Sequence, residues 1–152
     1  MAHVELSLSE LTDPGGERAG TGRGSGSLGL WSFTVEVAQE PCVVLDRNGV
    51  VVAASTGCAT LLAIDPVAAV GHRLAAGVLR LFDFNPVSAE LTAWEVEKIP
   101  PLQAIASGGL TRGLLRISGL DGSLITVDAV SVPLRDSEGV VGSLTFFAPV
   151  GH

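Results

Sequence analysis

Apolar positions along the chain fall into short runs, and three of them follow an Asp-to-Gly turn: "LDRNGVVVAAS" (residues 45–55), "LDGSLITVDA" (120–129) and "RDSEGVVGSLTFF" (135–147). Asn48-Gly49 tolerates the positive φ that a tight hairpin demands, so "CVVL" (42–45) and "VVVAAS" (50–55) read as two paired strands. In the last third, "LTRGLLRISG", "SLITVDAVSVPLR" and "VVGSLTFFAPV" read as a meander, joined by Leu120-Asp121-Gly122 and by Asp136-Ser137-Glu138-Gly139. Within the middle strand Ile125, Val127 and Ala129 share one side, while Val130, Val132 and Leu134 fall on the other. That change of phase predicts either a bulge near Ala129-Val130 or a strand buried on both faces. Pro133 belongs near a strand end or an edge, since it has no N–H to donate to a ladder.

Between the two β groups the period changes. "TGCATLLAI" places Cys58, Leu61 and Leu62 on one helical side, with Ser55 or Thr56 as its N-cap. Asp65-Pro66 supplies a cap and a fixed φ for a second short helix that Gly71 ends. "RLAAGVLRLFDFNP" is a mixed apolar stretch. "SAELTAWEVEKIPP" predicts a helical turn or two stopped at Pro100-Pro101, and "PLQAIASGG" offers Leu102, Ile105 and Ala106 on one face before a glycine exit. Five short strands in two antiparallel groups around a helical middle predict one α+β sheet with helices laid across one face.

The N-terminal part is read differently. Residues 13–29, "DPGGERAGTGRGSGSLG", hold almost nothing apolar and read as a flexible linker or tail. Before them, "HVELSLSELT" alternates Val4, Leu6 and Leu8 with polar residues, as an edge strand, an adhesive peptide or a disordered start would. "LGLWSFTVEVAQEP" fits two periods: Trp31, Phe33, Val35 and Val37 alternate like a strand, whereas Leu30, Phe33, Thr34 and Val37 share a helical face. The expected organisation is a tail over residues 1–29 and a domain over 30–150.

Composition narrows the partners. With 47% hydrophobic and only 16% charged residues in 152, much of the surface is expected to be small and polar or covered. A formal net charge of −7, with nine scattered Lys and Arg, argues against nucleic acid and anionic membrane surfaces as partners. No apolar run approaches the roughly 20 residues of a spanning helix, and "MAHVELSLSE" has no signal-peptide pattern, so a cytoplasmic protein is expected. Cys42 and Cys58 lie too far apart for a C-x-x-C site and read as buried thiols.

Strand, turn, strand, short helices, then a three-strand meander resembles the PAS domain family. "PCVVLDRNGVVVAAS" resembles its first hairpin, "TGCATLLAIDPVAAVGHRL" its first helices, and "GLDGSLITVDAVSVPLRDSEGVVGSLTFF" its closing strands; the likeness spans roughly residues 35 to 148. The long segment "RLFDFNPVSAELTAWEVEKIPP" departs from the family pattern. So does the end of the second strand, where many relatives carry Asn and this chain has Ser55 or Thr56. The resemblance implies a five-stranded antiparallel sheet whose inner face and short helices enclose a pocket. That pocket would be lined by Leu61, Leu62, Leu74, Leu79, Phe82, Ile105, Leu115, Ile117, Val127 and Phe146. These walls suit a small apolar ligand and equally suit a filled core. It also implies that the aromatic stretch with Trp31, Phe33 and Val37 either covers the outer sheet face or meets a partner.

Specific chemistry finds little footing. A photochemical flavin site needs Asn, Arg and Gln around its reactive Cys, and "TGCATLL" lacks them, so Cys58 reads as a small hydrophobe. His72 follows a helix exit, a poor place for a haem ligand, and His3 and His152 sit at the chain ends. No nucleophile elbow, H-E-x-x-H or phosphate-binding loop occurs. Glu90, Glu95 and Glu97 near Trp94 do not share a helical face, and Arg112 and Arg116 read as surface-paired rather than as anchors for an acid. No residue is assigned as catalytic or metal-ligating, no cofactor is named, and the protein is not expected to be an enzyme. The leading expectation is a free-standing sensory or regulatory module in signal transduction. It would act as a homodimer or on a signalling partner, with or without a small apolar ligand. The alternative is a dedicated small-molecule or haem-like cofactor binder.

Overall fold

The computed structural model describes residues 26–119 and 121–151. The readings made for residues 1–25, the alternating "HVELSLSELT" included, lie outside the described residues, as does Leu120.

The Asp-to-Gly turns work by a shared device. Asp46 Oδ1 accepts the backbone N–H of Asn48 at 2.8 Å, Asp121 Oδ1 that of Ser123 at 3.0 Å and Asp136 Oδ1 that of Glu138 at 2.8 Å. Each carboxylate thereby satisfies an amide that the ladder cannot reach. Gly49 at φ +79° and Gly122 at φ +83° supply the left-handed residue of their turns.

These turns order the sheet. Strands β1 (Cys42–Asp46) and β2 (Val51–Ala54) form the first hairpin, and β4 (Thr111–Ser118), β5 (Leu124–Asp136) and β6 (Gly139–Pro149) the meander. β1 pairs with β6, Cys42 opposite Phe146 and Val44 opposite Leu144, which closes both groups into one antiparallel sheet. A sixth strand, β3 (Leu81–Phe82), adds to the five expected from the sequence; it pairs with Ile117 and Arg116 to give the order β2-β1-β6-β5-β4-β3. The phase change in β5 is the mark of a strand covered on both faces. Its pairing runs without interruption past Ala129 and Val130, and the one irregularity lies later, at Leu134/Arg135. Pro133 sits beyond the end of β4, where pairing stops at Thr111–Ser131.

Most helices cover one face. They are α2 (Gly57–Leu62), α3 (Pro66–Ala69), α4 (Ala93–Val96) and α5 (Pro100–Ser107), with a π-type turn at Leu74–Val78. Asp65 caps α3 through the amides of Val67 and Ala68, as its sequence predicts. Neither Ser55 nor Thr56 caps α2 with its side chain. Ser55 Oγ instead donates to Glu40 O and accepts from Cys42 N–H, tying the segment before β1 to the end of β2. Pro100 and Pro101 start α5 rather than merely ending what precedes them, because their missing N–H groups fall where a helix has no internal acceptor.

The remaining helix, α1 (Gly26–Glu36), resolves the ambiguous stretch as helical and lies on the other face of the sheet, so the helices are not confined to one side. It begins four residues before the expected start of the domain and is anchored by Ser27 Oγ donating to Arg135 O.

Candidate functional site

The sequence expectations point to two places in this fold: the space between the sheet and its inner helices, and the outer sheet face.

The inner space is filled by the chain itself. Leu62, Leu74, Leu79, Leu115, Ile117 and Val127 are buried in one cluster with Val43, Leu45 and Phe147, and Leu61 and Ile105 pack against it. Eight of the ten residues named for a pocket therefore do meet, as packed core. Phe82 and Phe146 do not join them. In β3 the buried position is taken by Leu81, and Phe82 stands on the opposite phase with the Arg80 guanidinium 5.4 Å from its ring centre. In β6 the inward phase carries Thr145 and Phe147, so Phe146 points to the outer face and is 44% exposed. Two adjacent aromatics in one apolar strand offer no pattern from which to choose between them.

Helix α5 is seated on the inner face by small polar residues. Thr111 Oγ1 donates to Pro100 O and Ser143 Oγ to Pro101 O, both at 2.9 Å, while Ser131 and Thr145 share a hydrogen bond of 2.6 Å. Ser131, Ser143 and Thr145 are fully buried, so these bonds compensate their desolvation. Beside α5 a cleft of about 590 Å³ opens between β3, β4 and the α4–α5 junction, lined among others by Phe82, Leu91, Ile99 and Leu115.

The outer face divides in two. Over β1, β2 and the ends of β5 and β6, α1 brings Val35 into a buried cluster with Cys42, Val44, Ala53, Leu134 and Leu144, and Leu28 and Trp31 pack against it. Trp31 is thus an internal cover rather than a free contact residue. Phe33 at 69% and Val37 at 71% exposure point to solvent from the same segment. Past the end of α1 the face is open: Phe146 pairs with Val130, and Leu114, on the same face of β4, is 53% exposed. The alternation of "LTRGLLRISG" does not tell Leu114 from Leu115; only the cross-strand register does. Arg112 crosses the ladder there to Asp128 at 2.6 Å, and its guanidinium holds the Asp128 carboxyl below the usual range.

The other candidates separate. His72 is exposed. Glu90 pairs with Arg80, while Glu95 closes a capping box with Thr92. Arg116 reaches the carbonyls of Asp83 and Asn85 at 3.4 Å. Cys42 and Cys58 are free and buried, Cys58 Sγ lying 3.2 Å from Cys42 O. Among the described residues no helix is long and apolar enough to cross a membrane.

No family model matches the sequence, and no curated protein matches it. Solved structures do. The PAS domain of a protein from Colwellia psychrerythraea superposes with a TM-score of 0.58 at 19% identity, covering 80% of this chain and 94% of that one. The PAS domain of an HTR-like protein from Haloarcula marismortui gives 0.53 at 14% identity, over 97% and 98%. The VqmA dimer of Vibrio cholerae, solved in the absence of its target DNA, gives 0.57 at 19% identity, over 80% of this chain and 51% of VqmA. The fold is a PAS fold.

Proposed function

We propose that the protein is a PAS-type sensory or regulatory module of signal transduction that acts by contact, on a second copy of itself or on a signalling partner. The observation that carries this reading is the exposure of Leu114 and Phe146 on the outer sheet, on strands either side of half-buried Val130, together with exposed Phe33 on α1 and Val37 just past its end. Exposed apolar groups gathered on one face lose unfavourable hydration when a partner covers them. The likeness to a structure described as a dimer favours the homodimer, and its target DNA favours a role in regulating transcription through a partner. The reading assigns the module no catalysis and places it in the cytoplasm.

Size-exclusion chromatography with light scattering tests it. The unaltered chain is expected to elute as a dimer and the Leu114→Ser/Phe146→Ser variant as a monomer with unchanged circular dichroism. A monomer in both cases removes the homodimer.

The cleft of about 590 Å³ supports a second reading, in which a small apolar ligand bound beside Phe82 and Leu115 gates the contact or is itself the cargo. Native mass spectrometry of protein from its own host would show the guest as added mass.

A further inference from the structure

On the helical side of the sheet the β1–β2 turn, the segment following α3 and the α4–α5 junction meet around a groove of about 560 Å³. Its walls are tied together: Leu74 N–H donates to Gly49 O at 3.0 Å and Val51 N–H to His72 O at 2.9 Å. Gly49 also sits so close to α5 that an added Cβ would lie 3.0 Å from Leu102 Cδ2. Among the lining residues are Arg47, Arg73, Trp94, Glu97, Lys98 and Gln103.

The charge placement is uneven. Seven cationic side chains fall among the described residues. Four are engaged elsewhere: Arg80 with Glu90, Arg112 with Asp128, Arg116 with the carbonyls of Asp83 and Asn85, and Arg135 with Gly108 O. The other three, Arg47, Arg73 and Lys98, all line this groove, and none pairs with a carboxylate among the described residues. Lys98 Nζ stands 3.4 Å from the ring centre of Trp94, which is 67% exposed. The one carboxylate in the lining is Glu97. Asp46, next to Arg47, is occupied with the amides of the turn. A chain of net charge −7 therefore keeps a positive concavity with a large aromatic surface in it.

Concave clusters of one sign focus the field and attract the opposite charge. Guanidinium groups grip carboxylates through paired hydrogen bonds, and Trp with Arg dominates the energetics of protein contacts. We infer that this groove docks an acidic peptide segment of a partner protein, with its carboxylates on Arg47 and Arg73 and its apolar carbons against Trp94. A nucleic acid fits less well, because three cations neutralise few phosphates and the rest of the chain repels a polyanion. The groove lies on the opposite side of the sheet from the surface proposed above for the dimer, so its test does not depend on oligomeric state.

The test is fluorescence anisotropy of the full chain with a fluorescein-labelled EELEELEE peptide. Saturable binding is expected, weakening about tenfold between about 20 mM and 150 mM salt as screening grows. Arg47→Ala/Arg73→Ala is expected to weaken it at least about tenfold, as loss of charge partners at an interface does. Arg112→Ala, on the outer face, leaves it unchanged. Glu97→Gln tightens it, a gain that damage to the fold does not produce. Absence of binding, equal binding of QQLQQLQQ, an unchanged double variant, or tighter binding of a single-stranded oligonucleotide than of the peptide would each overturn the proposal.

Discussion

Cys42 and Phe146 stand opposite one another across the β1–β6 ladder, yet Cys42 is 1% exposed and Phe146 44%. The margin of the helical cover passes between them, since Cys42 shares a buried cluster with Val35 of α1 and Phe146 does not. One outer face thus holds a sealed half and an open half.

The sealed half makes an asymmetric prediction about neighbouring aromatics. Trp31→Ala removes packing from the cluster beneath α1 and is expected to cost about 2 kcal/mol, below the range for a fully buried Trp. Phe33→Ala, two residues on, is expected to stay within about 0.5 kcal/mol, as exposed positions do. Urea denaturation midpoints decide it, and equal losses would contradict the placement of α1.

Gly142 makes a steric prediction. A Cβ there would lie 2.0 Å from Leu45 O and 3.1 Å from Leu28 Cδ1, so Gly142→Ala must push β1 away from β6 or abandon the pairing. The expected loss exceeds about 4 kcal/mol, visible as failure to express in soluble form. Gly109→Ala, whose Cβ would meet nothing nearer than 4.0 Å, is the neutral control.

The thiols make a prediction about pH. Burial pushes the Cys42 thiol up to about 11 from 9.0 and raises Cys58 as well, against the opposing hydrogen bond from Ser55. Between those values the folded chain holds protons that the unfolded chain has released. Stability is therefore full below about 9 and falls as pH rises toward about 11. Cys42→Ala is expected to flatten that decline in urea titrations across the window. At about pH 8 iodoacetamide is expected to label neither thiol until the protein unfolds, because the thiolate is the nucleophile.

Much of this architecture is readable along the chain because its signals are local. Asp46, Asp121 and Asp136 each bind an amide two residues on, a short-range act that composition reveals. What was not readable depends on distant partners. β3 is two residues long and exists through pairing with Ile117 and Arg116, which nothing in "RLFDF" announces. Helix α1 mixes Leu28, Trp31, Phe33 and Val35 so evenly that strand and helix periods fit alike, and only the sheet beneath it selects the helix. The basic groove around Trp94 draws Arg47, Arg73 and Lys98 from three separate segments, so its charge has no trace in any one of them.

β5 has no neutral side. Through Val127 and Ala129 it touches the inner core, and through Val132 and Leu134 the residues beneath α1. It is a partition wall between two rooms, furnished on both sides. A group that displaced the inner residues would therefore press on the same strand that floors the cluster beneath α1.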